Sequence, residues 1–167
     1  MIKQLVLIVL FFFMITPATA EVIFPDLEAD DLNGRTLSLP KDLPGKPTIV
    51  FIAFKRKQQS SVDAWVDRLD LLPEGGPAWI EMPVVGRGAA IFRSFVDKGM
   101  RAGITSEFMR GRTITIYSSR RAFNNALGIQ SMKDIYVALV DPNGTVHILI
   151  QGDVSEEKLK KLRAAYP

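Results

Sequence analysis

The segment Lys55-Arg56-Lys57-Gln58-Gln59-Ser60-Ser61 gathers three cations, two amides and two hydroxyls in consecutive positions. It stands between an apolar run ending at Phe54 and an apolar pattern beginning at Val62. If the first is a strand and the second a helix, these side chains crowd a helix N-terminus, where free backbone N–H groups and the macrodipole favour anions. Lys55, Arg56, Lys57, Gln58, Gln59 and Ser60 are therefore the candidate binding residues, for an acidic peptide or for a small phosphate or carboxylate. The plainer alternative is a solvated turn in which Ser60 or Ser61 caps the helix.

A second concentration of charge lies further on. Arg87, Arg93, Lys98, Arg101, Arg110, Arg112, Arg120 and Arg121 face only Asp97 and Glu107 in the same stretch, a local +6 in a nearly neutral chain. Arg87, Arg93, Arg101, Arg110 and Arg112 form a candidate basic face for an acidic partner or anionic headgroups. The alternative is that they sit on different elements and point different ways, as solvated helix faces do. The spacing of these cations does not suggest a nucleic-acid surface, so nucleic acid is not an expected partner.

Much chemistry is excluded. The chain has no cysteine, which removes disulfides, thiolate metal sites, thiol nucleophiles and redox relays together. His147 is its one histidine and falls in a predicted strand, so neither a transition-metal site nor a serine hydrolase using Ser60 or Ser61 is expected. Asp30-Asp31 and Glu156-Glu157 lack the companion ligands of a calcium loop, and Gly86-Arg87-Gly88 lacks the third glycine of a dinucleotide loop. No cofactor and no enzymatic activity is expected. An enzyme or carrier binding an anionic small molecule at the Lys55 to Ser61 turn is the alternative, and it lacks an evident base.

The elements that position these residues follow from periodicity. Arg35-Thr36-Leu37-Ser38-Leu39 alternates polar with apolar after the turn signal Asp31-Leu32-Asn33-Gly34, predicting a strand or hairpin. Thr48 to Phe54 is apolar on both faces, as a central strand covered by helices must be. Val62, Trp65, Val66, Leu69 and Leu72 recur at helical spacing, with that stripe against the sheet, and Pro73 to Pro77 ends the helix. Trp79 to Val85 predicts a second strand, and Ile91, Phe92, Phe95, Val96 and Met100 a second helix closed by Gly99 or Gly103. Thr113 to Tyr117 predicts a third strand, followed by a short helix capped by Ser118 or Ser119 and ended at Gly128. Ile135 to Val140 and Thr145 to Ile150 are joined by the turn Asp141-Pro142-Asn143-Gly144, and Glu156 to Ala165 closes the chain as a helix. Strands with helical crossovers followed by a hairpin predict a three-layer α/β/α sandwich with a mixed sheet, a C-terminal β-hairpin and a final helix.

The first twenty residues have Lys3, an apolar run from Leu5 to Ile15, Pro17 and then Ala18-Thr19-Ala20, the pattern of a cleavable signal peptide. The run is short of the ~20 apolar residues of a spanning helix, so residues 21–167 are expected to be an exported single domain, periplasmic or extracellular, without a transmembrane segment. Cleavage would remove Lys3 from the chain's 21 cations and leave 20 against 18 carboxylates.

The element order, with Asp31 to Pro40, Gly45-Lys46-Pro47 and Val140 to Gly144, resembles the thioredoxin-like and peroxiredoxin-like superfamily. In its redox-active members the reactive cysteine sits where the helix follows the central strand. By that resemblance Arg56 and Gln59 occupy the positions of a thioredoxin cysteine pair. Ala53, Lys57 and Ser60 occupy those of a peroxiredoxin's proline, threonine and cysteine. The facing cis-proline, expected near Asp134 or Ile135, is also missing. Val50 to Phe54 running through Gln59 to Trp65, with Gly99-Met100-Arg101-Ala102-Gly103-Ile104, is similar to the cysteine-free mitochondrial ATP-synthase assembly-factor family. That resemblance implies a redox-inactive binding or assembly module, chaperone-like, with a protein partner such as a membrane-complex subunit.

Overall fold

The computed structural model describes residues 21–72 and 75–166. The expected signal peptide, residues 1–20, lies outside them. The Asp31 turn folds the chain back at once: β1 (Leu27–Asp30) and β2 (Thr36–Leu39) pair antiparallel. Asp31 Oδ1 accepts from the backbone N–H of Asn33 and of Arg35, each at 2.9 Å, and Gly34 takes the left-handed φ of 88° that the corner requires.

Next come β3 (Thr48–Ala53), a 3-10 turn (Arg56–Gln58), α1 (Gln59–Arg68) and β4 (Trp79–Pro83), which lies parallel to β3. A 3-10 segment (Arg87–Phe92) leads into α2 (Arg93–Gly103), and α3 (Glu107–Arg112) and α4 (Arg120–Ala126) follow. The hairpin β5 (Tyr136–Val140) and β6 (Val146–Gln151) precedes α5 (Glu156–Ala165). The hairpin turn repeats the device of the first corner: Asp141 Oδ1 accepts from Asn143 N at 2.9 Å and Thr145 N at 3.0 Å, and Gly144 has φ 90°. Sheet order is β4-β3-β5-β6, with β5 antiparallel to both neighbours.

Alternation along β3 divides the core in two. Ile49 and Phe51 face α1 and α5, packing with Val62, Trp65, Leu159 and Leu162. Val50 and Ile52 face the other way, against Leu37 and Leu39 of the first hairpin and Phe123 of α4. The two tryptophans are fully buried, and each indole N–H finds a carbonyl: Trp65 on Gly152 at 3.1 Å, Trp79 on Leu71 at 2.9 Å.

Several expectations are corrected. α1 ends at Arg68, and a left-handed Asp70 redirects the chain so that Leu71 is buried and Leu72 points outward. The expected third strand is reduced to isolated parallel bridges, Glu81 with Thr113 and Val84 with Ile116, so it edges β4 without becoming a full strand. α3 was absent from the periodicity. Ser119 is the cap of α4, its hydroxyl accepting from Ala122 N at 3.3 Å.

α2 departs most from a core helix, since none of its residues is buried. Arg93, Asp97 and Arg101, spaced at i, i+4 and i+8, tie it to the body. Arg93 meets Asp30 at 2.6 Å, Asp97 accepts from Tyr117 Oη at 2.7 Å, and Arg101 Nε donates to the Leu32 carbonyl at 2.6 Å. The inner side thus mixes Arg93 and Asp97 with half-buried Val96 and Met100, while Phe92 and Phe95 face outward.

Asp31→Ala strips a carboxylate that is 2% exposed and leaves two backbone N–H groups without their acceptor. The expected loss is about 2–3 kcal/mol in urea denaturation, with the fold retained by circular dichroism.

Candidate functional site

Strand β3 delivers its last residues to the surface at one edge of the α1 layer, and the turn there contains every residue of the candidate binding segment. Lys55, Arg56 and Lys57 are exposed, as are Gln59 and Ser60. None of the three cations forms an ion pair among the described residues. Gln58 is different: it is 5% exposed and all of its polar capacity is spent on the chain itself. Its Oε1 accepts from Phe54 N at 2.8 Å and Lys55 N at 3.0 Å, while Nε2 donates to the carbonyls of Met132 at 3.3 Å and Lys133 at 3.0 Å. One amide thus fastens the turn after β3 to the loop before β5. Ser61 donates to Asp153 at 2.6 Å, and α1 has no side-chain cap, so neither Ser60 nor Ser61 caps it.

Behind this turn is a carboxylate that the sequence reading passed over. Glu81 of β4 is 7% exposed and lies on the α1 face of the sheet, opposite Phe51 in register. Gln59 Nε2 donates both to Glu81 Oε2 at 3.2 Å and to Asp63 Oδ1 at 3.0 Å, so one amide bridges two carboxylates. Burial raises the Glu81 pKa, the Gln59 hydrogen bond lowers it, and the nearby Asp63 charge raises it. A charged residue inside the otherwise apolar Trp79-Ile80-Glu81-Met82 was the available signal.

Most cations of the candidate basic face are engaged by the chain itself, Arg93, Arg101 and Arg110 all at the Asp30 to Asn33 corner. Arg93 is paired with Asp30 and Asp97 and lies 5.2 Å from the Tyr117 ring centroid. Arg101 holds Leu32, and Arg110 donates to Asn33 Oδ1 at 3.0 Å and Thr105 O at 3.0 Å. Arg112 donates to Trp79 O at 2.7 Å and is sandwiched between the Trp79 and Phe108 rings, 5.1 and 4.3 Å from their centroids. Burial lowers its pKa. Arg87 is exposed and makes no ion pair among the described residues.

Asp134 stands before β5, and its carboxylate accepts from Gln151 Nε2 at 2.8 Å. With a helix starting directly after the central strand, a parallel neighbour on one side and an antiparallel hairpin plus helix on the other, the architecture is decided. The fold is thioredoxin-like. No family model matches the chain, and no curated protein sequence does. Among solved structures it is similar to a putative electron transport protein from Aquifex aeolicus VF5, at 16% identity and TM-score 0.60, covering 87% of this chain and 98% of that one. It is also similar to BsSco, a member of the Sco family of cytochrome c oxidase assembly proteins in which a disulfide switch was identified, at 15% identity and TM-score 0.58 over 87% and 94% of the two chains. A third is the exposed lipoprotein thioredoxin of Streptococcus pneumoniae strain TIGR4, at 17% identity and TM-score 0.55 over 84% and 99%. These likenesses show the fold, and the thioredoxin-like scaffold here carries no sulfur nucleophile because its 167 residues include no cysteine.

Two outcomes follow. Gln58→Ala leaves two N–H groups and two carbonyls without partners and is expected to cost about 2–4 kcal/mol by chemical denaturation. Because folding raises the Glu81 pKa above its ordinary 4.5, the folded chain binds more protons than the unfolded one just above that value, and stability falls as pH rises through the window. Glu81→Gln removes this slope. Its melting temperature relative to the parent protein should be higher at about pH 7 than at about pH 4.

Proposed function

We propose that this protein is an exported, redox-inactive binding or assembly module, chaperone-like in action, whose partner is a subunit of a membrane complex. The observation that carries the reading is the turn after β3: Lys55, Arg56 and Lys57 stand exposed and without ion pairs among the described residues, on a platform that Gln58 pins from beneath. A turn held by four Gln58 hydrogen bonds under exposed cations suits capture of an acidic segment, since the backbone need not reorganise on binding. The assembly role described for the Sco family of BsSco and the resemblance to the ATP-synthase assembly factors support the same direction. The N-terminal residue pattern supports export. No helix of the described residues is long and apolar enough to cross a membrane, in keeping with a domain that meets its partner from the aqueous side.

The test is crosslinking and affinity capture from the host's envelope fraction. Recovery of one membrane complex, lost in a Lys55→Glu, Arg56→Glu, Lys57→Glu triple variant of unchanged melting temperature, is the expected result. Equal recovery by the variant removes the turn as the interface. Recovery of nothing above background shifts the reading to a small anionic ligand at the same helix N-terminus.

A further inference from the structure

From the apolar cluster Ile91, Phe92 and Phe95 left exposed on α2 and the 3-10 segment before it, we infer that this face docks on an anionic lipid surface. Ile91, Phe92 and Phe95 are 82%, 61% and 80% exposed, whereas the other large exposed apolar residues, such as Leu72 and Ile23, lie elsewhere in the chain. Arg93, Asp97 and Arg101 occupy the opposite side and hold the segment to the body, so this orientation is fixed by bonds and is not a frayed end. A helix with a bulky aromatic face, low overall hydrophobicity and cations at its flank lies in the plane of a membrane interface.

Charge selects the occupant. Between Arg87 and Ser106 the sole acidic residue is Asp97, and Tyr117 and Arg93 engage it on the inner side. Arg87 and Lys98 remain exposed beside the apolar group without ion pairs among the described residues. This segment therefore offers apolar side chains and positive charge with no free carboxylate of its own, which matches headgroups of anionic lipids. Area points the same way: two phenylalanines and an isoleucine at these exposures present roughly 400 Å², about half of the ~800 Å² per partner in a stable protein interface. A second copy of the chain would also bring Arg87 and Lys98 against their own like charges.

Residues 21–167 contain every strand and helix of the described residues and both halves of the core, so they can be tested without the apolar N-terminus. Flotation with vesicles of equimolar phosphatidylglycerol and phosphatidylcholine should recover the protein, and vesicles of phosphatidylcholine alone should not. Phe92→Ser with Phe95→Ser should weaken binding by about tenfold or more with no loss of melting temperature, because neither side chain is buried. Arg87→Glu with Lys98→Glu should do the same. Binding unchanged in either double variant overturns the inference, as does failure of the parent protein to float with anionic vesicles. Self-association by sedimentation that Phe92→Ser with Phe95→Ser abolishes also overturns it, in favour of a second copy. The Lys55 to Lys57 surface is untouched in these variants, so partner capture through that turn is read separately.

Discussion

Strand β3 has water on neither face, and that fact obliges the rest of the chain to supply two covering layers. Every side chain from Thr48 to Ile52 is buried, with Val50, Phe51 and Ile52 wholly so. Alternation sends Phe51 to one side and Ile52 to the other, so α1 and α5 must close over the first and the β1-β2 hairpin with α4 over the second. Trp79 shows how the constraint propagates. It packs edge-on to Phe51 with ring centroids 6.0 Å apart, gives its N–H to Leu71 and takes the Arg112 guanidinium over its ring. Deep strand, loop and α3 are thereby assembled around one indole.

The end of a strand so committed is the place where a thioredoxin-like fold can expose side chains without risk to its core. In this chain that place is occupied by an amide, three cations and a buried carboxylate. Gln58 performs mechanical work there, joining two loops through four backbone groups. Glu81 is tolerated because Gln59 reaches it, at the cost of some stability when it ionises. The position thus keeps its shape through Gln58 while leaving three cations exposed, and it offers no sulfur for electron transfer.

How far this was legible depends on whether a pattern determines one outcome. A short β-branched run apolar on both faces, as at Thr48 to Phe54, points to a central strand, and the stretch from Glu156 to Ala165 with its acidic first turn points to a helix; β3 and α5 lie where these patterns put them. Two interleaved stripes do not have that property. In α2 the spacing of Phe92, Phe95, Val96 and Met100 marks a helix, yet Arg93 and Asp97 recur with the same period, and the positions of Asp30 and Tyr117 bring them inward beside Val96 and Met100 while Phe92 and Phe95 stay outside. α3 has six residues, too few for a period to emerge. Gln58 and Glu81 were hidden for a different reason: their roles depend on Met132, Lys133 and Gln59, which are distant in sequence or ordinary in type.

The twin corners at Asp31 and Asp141 bear on how the chain finds this structure. Each carries its own instructions within five residues, an aspartate that gathers two N–H groups and a glycine that accepts the left-handed turn, so β1 with β2 and β5 with β6 can zip together from local information alone. The pairing of β3 with β5 cannot, because the whole α1 to α4 region intervenes between the two strands. The two longest closures, residues 22–24 onto 144–146 and β3 onto β5, both engage that C-terminal hairpin, so most of the chain's loop-closure entropy falls on its docking.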